Sequence, residues 1–173
     1  NYSLRYELNG GNNNGGNPGS YHAETKSASG AYQIILNAAK RNNYNFLGWY
    51  KDPDFKEALK KVDGSENWIF DVSDFVGKGA TTIYAKWAPN RYVIHYTLGD
   101  DVDTLDANGK VSPNYSVMAE ADRTQTCDVD ITYRFSTLTN RAGYEVTAWK
   151  DLKTNRTYTP GAAFRNYSLK DGD

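Results

Sequence analysis

Few residues in this sequence can perform acid-base or nucleophilic chemistry. His22 and His95 are the side chains available as bases at neutral pH, and neither falls in a recognisable nucleophile motif. The single cysteine, Cys127, stands beside Asp128, whose charge raises the pKa of a neighbouring thiol. No histidine or second cysteine lies two to four positions from it, as a metal site would require. The sequence therefore predicts a non-catalytic protein without a cofactor.

One acidic segment, residues 100–109, has the composition of a cation site. Its closely spaced carboxylates suit Ca²⁺, which prefers oxygen ligands, and the candidate ligands are Asp101, Asp103 and Asp106. The order of residues does not follow an EF-hand, and no glutamate stands at the twelfth position from Asp101. A solvated insertion loop is the default interpretation, and calcium binding is the alternative.

Aromatic residues are abundant, with 14 tyrosines, 4 tryptophans and 6 phenylalanines, and they favour a β-rich fold. Exposed rings can bind sugars by stacking, whereas buried tryptophans serve as core anchors that each bury about 200 Å². We interpret Trp49, Trp87 and Trp149 as core anchors. Tyr50 points away from Trp49 by strand alternation and is the predicted surface residue for ligand binding.

Charge and hydropathy exclude two classes of partner. The net charge is -1, with 21 acidic and 20 basic residues, so the attraction that a nucleic-acid or anionic-membrane binder needs is missing. No apolar run approaches the 18 residues of a membrane-spanning helix. The chain begins at Asn1 without a methionine or a signal-like segment, so we expect targeting segments to lie outside it.

Two blocks of sequence recur and predict two modules. Residues 2–8 (YSLRYEL) and 92–98 (YVIHYTL) both alternate apolar and polar positions, which is typical of a strand. A second block, residues 41–52, matches residues 141–151. The first copy ends in an alternating strand at 82–87, followed by a linker with Pro89, while no such strand ends the second copy. We therefore predict modules at 1–89 and 90–173, the second lacking its last strand.

Shorter segments complete the prediction of an α+β, mostly β fold. Residues 31–36 and 129–135 are predicted strands, and residues 54–62 a two-turn helix capped by Asp54. The predicted core positions are Tyr2, Leu4, Tyr6, Tyr44, Phe46, Trp49, Tyr84, Trp87, Tyr92, Ile94, Tyr96, Tyr144 and Trp149.

The ordered blocks Y-x-[LI]-x-Y-x-L-N-G-G, R-x-x-Y-x-F-x-G-W-Y and I-Y-A-K-W resemble the Listeria-Bacteroides repeat, also called the internalin B-repeat. In the first copy they occupy residues 2–11, 41–50 and 83–87. The second copy departs from the pattern, because Gly99-Asp100-Asp101 replaces Asn-Gly-Gly, Ala148-Trp149-Lys150 replaces Gly-Trp-Tyr, and the final A-x-W is absent.

The resemblance implies small β-grasp-like modules in tandem within secreted or wall-attached bacterial surface proteins, with no catalytic residues. It implies a spacer or an adhesion module, whose partners would be neighbouring repeats and an unknown extracellular protein or glycan. The alternative is a carbohydrate- or matrix-binding module that uses exposed tyrosine and tryptophan side chains.

Overall fold

The computed structural model describes residues 2–13, 16–17, 20–21, 33–71, 80–97, 124–137 and 145–173. The chain divides into two compact units, unit 1 at residues 1–89 and unit 2 at residues 90–173. Every regular element among the described residues is a β-strand. The coarse prediction of a mostly β protein is therefore confirmed.

Unit 1 contains seven strands in its described part, and they form two sheets. Their bounds are β1 Tyr2–Glu7, β2 Ser20–Tyr21, β3 Gln33–Asn37, β4 Tyr44–Tyr50, β5 Lys60–Lys61, β6 Asn67–Asp71 and β7 Ala80–Pro89. One sheet has the order β2-β1-β7-β4 and the other the order β3-β6-β5. The pair β1 and β7 is parallel, and all other pairs are antiparallel. The first and last strands of the unit thus lie side by side at the centre of the larger sheet.

The core of unit 1 is formed by the inward positions of both sheets. Strand alternation places Leu4, Trp49, Ile83 and Ala85 of the larger sheet in one buried cluster with side chains of β3 and β6. Trp49 is 0% exposed, and its indole N–H donates to the Asn37 carbonyl oxygen at 2.9 Å. This bond satisfies the polar end of the ring and connects the two sheets.

The helix predicted over residues 54–62 is wrong. These residues form turns, an isolated bridge at Ala58 and the strand β5. Phe55 has a φ of 57°, which a right-handed helix cannot contain. The capping carboxylate belongs to Asp52, which accepts from the backbone N–H groups of Lys56 and Glu57 in a closed loop. The acidic and proline residues thus specify a turn.

Unit 2 has six strands in its described part. Their bounds are β8 Arg91–His95, β9 Thr124–Asp128, β10 Thr132–Arg134, β11 Trp149–Lys150, β12 Thr157–Tyr158 and β13 Ala163–Arg165. They form three antiparallel pairs, β8-β9, β10-β13 and β11-β12. Tyr96 and Phe135 are buried among partly buried aromatic residues, Trp149 included. None of the residues described in unit 2 forms a strand in the position that β7 takes in unit 1.

The boundaries of the predicted strands shift by a few residues. The opening strands appear as β1 and β8, the closing strand of the first copy as β7, and the strand at 31–36 as β3. The strand predicted over 129–135 is shorter, because Val129 and Asp130 form a turn in which Asp130 has a φ of 67°. Only β10 at 132–134 remains extended and paired.

Candidate functional site

The candidate ligand-binding surface lies on the outward face of the larger sheet of unit 1. Tyr50 on β4 and Tyr84 on β7 are direct cross-strand partners, so their side chains leave the same face. Lys86 follows two residues after Tyr84 and shares that face. We call the group of Tyr50, Phe55, Tyr84 and Lys86 the aromatic face.

Phe55 joins this face from the loop that follows β4. The Lys51 N–H donates to the Glu57 carbonyl oxygen at 2.8 Å, which closes the loop. The Phe55 ring then meets the Tyr50 ring edge-on at a centroid separation of 5.4 Å. Its left-handed backbone is uncommon for a bulky residue, and the contacts of this loop impose it.

A positive charge lies over both rings. The Lys86 ammonium is 5.4 Å from the Tyr50 centroid and 5.6 Å from the Phe55 centroid. In the loop that carries Phe55, hydrogen bonds from backbone N–H groups hold the pKa of Asp52 below its ordinary value, and the bond from Glu57 contributes most. The aromatic face can therefore stack against a flat apolar or sugar surface and attract a negative group. This group of four side chains contains no carboxylate, imidazole or thiol.

A second surface feature lies on the outer side of the smaller sheet. Ile35 is 45% exposed and pairs directly with Ile69 of β6. Beside this pair is a shallow groove of about 290 Å³. It is lined by Gln33, Lys51, Ala58, Leu59, Lys60, Ile69 and Asp71. The groove has mixed charges and no convergent set of titratable groups.

The three sequence motifs meet at one place in unit 1. The Trp87 indole N–H donates to the Leu8 carbonyl oxygen at 2.8 Å, and the Asn9 amide donates to the Ala85 carbonyl oxygen at 2.9 Å. A Cβ at Gly11 would lie 2.2 Å from the Trp87 ring, so only glycine fits there. The motif residues therefore fasten the end of β1 to β7.

The arginine of the central motif completes this arrangement. The Arg41 guanidinium donates to the Asn9 carbonyl oxygen at 3.1 Å and lies 3.5 Å from the Tyr44 centroid. Spacing of three residues brings the cation over that ring across the turn that contains Asn43, whose φ is 66°. These motif residues stabilise the fold, and none of them belongs to the aromatic face.

Unit 2 reproduces the buried contacts of unit 1. The Trp149 indole N–H donates to the Ser136 carbonyl oxygen at 2.6 Å, as Trp49 donates to Asn37. The ring of Trp149 lies 4.7 Å from that of Tyr96, and the ring of Trp49 lies 5.3 Å from that of Tyr6. At the position of Tyr50, unit 2 has Lys150, so the aromatic face belongs to unit 1.

Ionisable groups in unit 2 are held in structural contacts. The Tyr167 hydroxyl donates to the Asp151 carboxylate, and burial together with this bond raises the pKa of Tyr167. The same bond lowers the pKa of Asp151. Burial raises the pKa of the fully enclosed Cys127 thiol. This thiol is packed in the unit and is not presented at a surface.

The predicted core positions differ in how completely they are enclosed. Leu4, Trp49, Tyr92 and Tyr96 are buried. The partly buried ones are Tyr6, Tyr44, Phe46, Trp87, Ile94 and Trp149. Tyr84 is also partly buried, but it lies on the outward aromatic face, because it alternates with the buried Ile83 and Ala85. The side chain of Tyr2, all of Tyr144 and the candidate calcium ligands Asp101, Asp103 and Asp106 lie outside the described part. Tyr50 is partly exposed on the aromatic face.

Sequence reasoning missed Phe55 and Lys86. Lys86 has the same strand parity as Tyr84, so the alternation of β7 was a usable signal. Phe55 had no such signal, because a turn and not a strand positions it.

The described residues contain neither a candidate metal site nor a candidate membrane-spanning helix. No group of three or more His, Cys, Asp or Glu side chains is placed to hold a metal ion there. The same residues include no helix of the length and apolarity needed to cross a membrane.

Comparison with known proteins confirms the family resemblance over the first unit. The model of the Listeria-Bacteroides repeat domain matches residues 2–86, which is just under half of the chain. A protein of Evansella cellulosilytica named "Putative membrane protein" is 30% identical over 106 residues, which are 61% of this chain. The chain spans 13% of the length of that curated relative. No solved structure matches the chain.

Proposed function

We propose, from the match of residues 2–86 to the Listeria-Bacteroides repeat domain, that this chain is a pair of tandem repeat modules of a bacterial surface protein. Module 1 is residues 1–89 and module 2 is residues 90–173. The modules are non-catalytic and act outside the cell, at its surface or wall, as a spacer or a protein-interaction unit. The printed name of the longer relative is consistent with this location.

The observation that carries the proposal is the repeated tryptophan contact. In each unit a tyrosine in or directly after the first strand contacts the ring of a tryptophan, Tyr6 with Trp49 and Tyr96 with Trp149. The indole N–H of that tryptophan donates to a carbonyl 12 or 13 residues before it. Such agreement in ring contact and hydrogen bond favours duplication of one module over two unrelated domains. Tandem repeats of this kind contact their neighbouring copies.

A β-grasp-like architecture is part of this proposal. The order β2-β1-β7-β4, with its first and last strands parallel at the centre, supports it in module 1. In module 2, the pairs β8-β9 and β11-β12 occupy the positions of β1-β2 and of β4 with the segment after it.

A second candidate function is carbohydrate or matrix binding. It is favoured by the aromatic face, where a cation lies over two partly exposed rings on the outward side of the sheet. Stacking of sugar rings on aromatic side chains needs such a platform, and the surrounding polar groups would orient the ligand.

The experiment that tests both candidates is binding of the full chain, alone and as a streptavidin tetramer, to arrays of glycans and extracellular matrix proteins. Tetramer binding that Tyr50→Ala abolishes without changing the melting temperature would establish the second candidate. Binding that Tyr50→Ala leaves intact would establish a protein-interaction module with another surface, and silence of the tetramer favours a spacer. Release of a product from any arrayed ligand would contradict the non-catalytic proposal.

A further inference from the structure

Strand β8 of unit 2 pairs with one strand among the described residues, whereas its counterpart β1 in unit 1 pairs with two. In unit 1, β7 lies between β1 and β4, parallel to the first and antiparallel to the second. The strands of unit 2 that correspond to β1 and β4 are β8 and β11. Among the described residues, nothing pairs with both of them, and they remain in separate two-stranded sheets.

The two strands are nevertheless held at the spacing of a filled sheet. Tyr96, which follows β8, stacks on Trp149 of β11 at 4.7 Å, close to the 5.3 Å of the corresponding pair in unit 1. Trp49 is 0% exposed because Ala85 of β7 lies directly opposite it, whereas Trp149 is only partly buried. One flank of Trp149 therefore lacks the cover that β7 gives its counterpart.

The last two residues of the chain already enter this position. The Gly172 N–H donates to the Arg91 carbonyl oxygen at 2.8 Å, and the Val93 N–H donates to the Asp173 carbonyl oxygen at 2.9 Å. In unit 1 the strand β7 begins with Ala80 opposite Ser3, the residue that corresponds to Val93. In a parallel pair an N–H group bonds to the residue that precedes its partner, so the bond from Val93 places Asp173 opposite Tyr92. Asp173 thus stands one residue before the position of Ala80, and the direction is parallel.

Alternation along β8 defines the next hydrogen-bonding group. The N–H groups of Arg91 and Val93 point to this edge, and Arg91 donates to the Asp171 carboxylate at 2.8 Å. Two residues further, the His95 N–H points the same way. No hydrogen bond from it is found among the described residues, and β8 pairs on its other side with β9.

We propose that unit 2 accepts a seventh strand that starts directly after Asp173, runs parallel to β8 and antiparallel to β11, and places small aliphatic side chains against Tyr96 and Trp149. The register of unit 1 gives its pattern. Ile83 lies opposite Tyr6 and Ala85 opposite Trp49, so the fourth and sixth residues after Asp173 are the buried ones.

The sequence of unit 2 also indicates what this strand should lack. Gly11 is required in unit 1 because the Trp87 ring occupies the place of its Cβ. At the corresponding place in its sequence, unit 2 has Asp101 and not glycine, so the residue that the Trp87 ring requires in unit 1 is not repeated. The accepted strand therefore carries the I-x-A part of the motif without the following tryptophan. This inference rests on the geometry of the strands and not on the proposed surface function.

The test appends seven residues with the sequence of residues 80–86, Ala-Thr-Thr-Ile-Tyr-Ala-Lys, to the full chain after Asp173. The matched control replaces the fourth and sixth appended residues by aspartate, which leaves the outward face unchanged. Amide hydrogen exchange at His95 is followed by NMR, the melting of unit 2 is recorded, and the mass in solution is measured by sedimentation.

The proposal expects exchange at His95 to slow by at least about tenfold in the extended chain and unit 2 to melt about 5 °C or more higher, with the protein monomeric and the aspartate control unchanged. Equal effects from both extensions would overturn it. Slow exchange at His95 in the unextended chain would also overturn it, since a segment outside the described residues or a second copy would then pair with this edge. Sedimentation distinguishes those two cases.

Discussion

The replacement Trp49→Ala removes a large, fully buried side chain from the core of unit 1. The ring is 0% exposed, contacts Tyr6 and Phe46 at centroid separations of 5.3 and 5.1 Å, and donates to the Asn37 carbonyl. Truncation of a buried tryptophan costs about 3–5 kcal/mol, and the hydrogen bond alone about 0.5–1.5 kcal/mol. For a unit of this size, the larger cost lowers the melting temperature by more than about 12 °C.

Two further variants separate the contributions. Trp49→Phe keeps most of the packing and loses the hydrogen bond, so its effect should be about a third of that of Trp49→Ala. Tyr50→Ala removes a partly exposed ring of the adjacent position and should cost about 1 kcal/mol or less. Urea unfolding followed through the amide signals of Ile34 and Leu36 reports on unit 1 alone. Equal destabilisation by Trp49→Ala and Tyr50→Ala would refute the assignment of Trp49 as the core anchor.

Three other predictions use single sites. Gly11→Ala should destabilise unit 1 by about 2 kcal/mol or more in urea unfolding, because its Cβ would lie 2.2 Å from Trp87, while Gly64→Ala meets no atom within 4 Å and should cost only its backbone strain, about 1 kcal/mol. The pKa of Asp52 is lowered from 3.8 in the folded state, so its contribution to stability is present above about pH 4 and is lost as the pH falls through the lowered value. Asp52→Asn should therefore reduce the fall of the melting temperature at acid pH, measured by thermal unfolding at a series of pH values. Cys127 is 0% exposed and the pKa of its thiol is raised, so iodoacetamide should modify it only in denaturant, and modification of the native chain at the rate of free cysteine would contradict its burial.

Local alternation of residue types was enough to predict the paired strands. Tyr2 to Leu8, Tyr92 to Leu98 and Thr82 to Trp87 each alternate with period two, and all three segments contain the expected strand. The repeat itself was visible because Trp49 and Trp149 stand at matching places in the blocks 41–52 and 141–151. Their contacts with Tyr6 and Tyr96 show that the spacing of the blocks reflects one buried arrangement in each unit.

The helix at residues 54–62 was predicted wrongly because the acidic residue was assigned to the wrong role. Asp54 looked like an N-cap, but Asp52 accepts the backbone N–H groups and closes a turn. With Phe55 in a left-handed conformation, the segment crosses back toward β4 and cannot propagate helically. Tertiary contacts with Tyr50 decide this conformation, and they are invisible to a local pattern.

The aromatic face was only half predictable for the same reason. Strand parity gave the outward direction of Tyr50, since its neighbour Trp49 points inward. Phe55 reaches it through a turn, which residue spacing does not predict. The parity of β7 gives the direction of Lys86, but it does not say that β7 lies beside β4.

The central claim is that both units are copies of one module, with Trp149 in the role of Trp49. It is tested most directly by hydrogen exchange at the indole Nε1 positions, observed by ¹⁵N NMR of the full chain, with the Trp signals assigned by single Trp→Phe variants. The account predicts that the Nε1–H groups of Trp49 and Trp149 are both protected, because each donates to a backbone carbonyl. Exchange of the Trp149 group at the rate of an unfolded chain, with Trp49 protected, would contradict it.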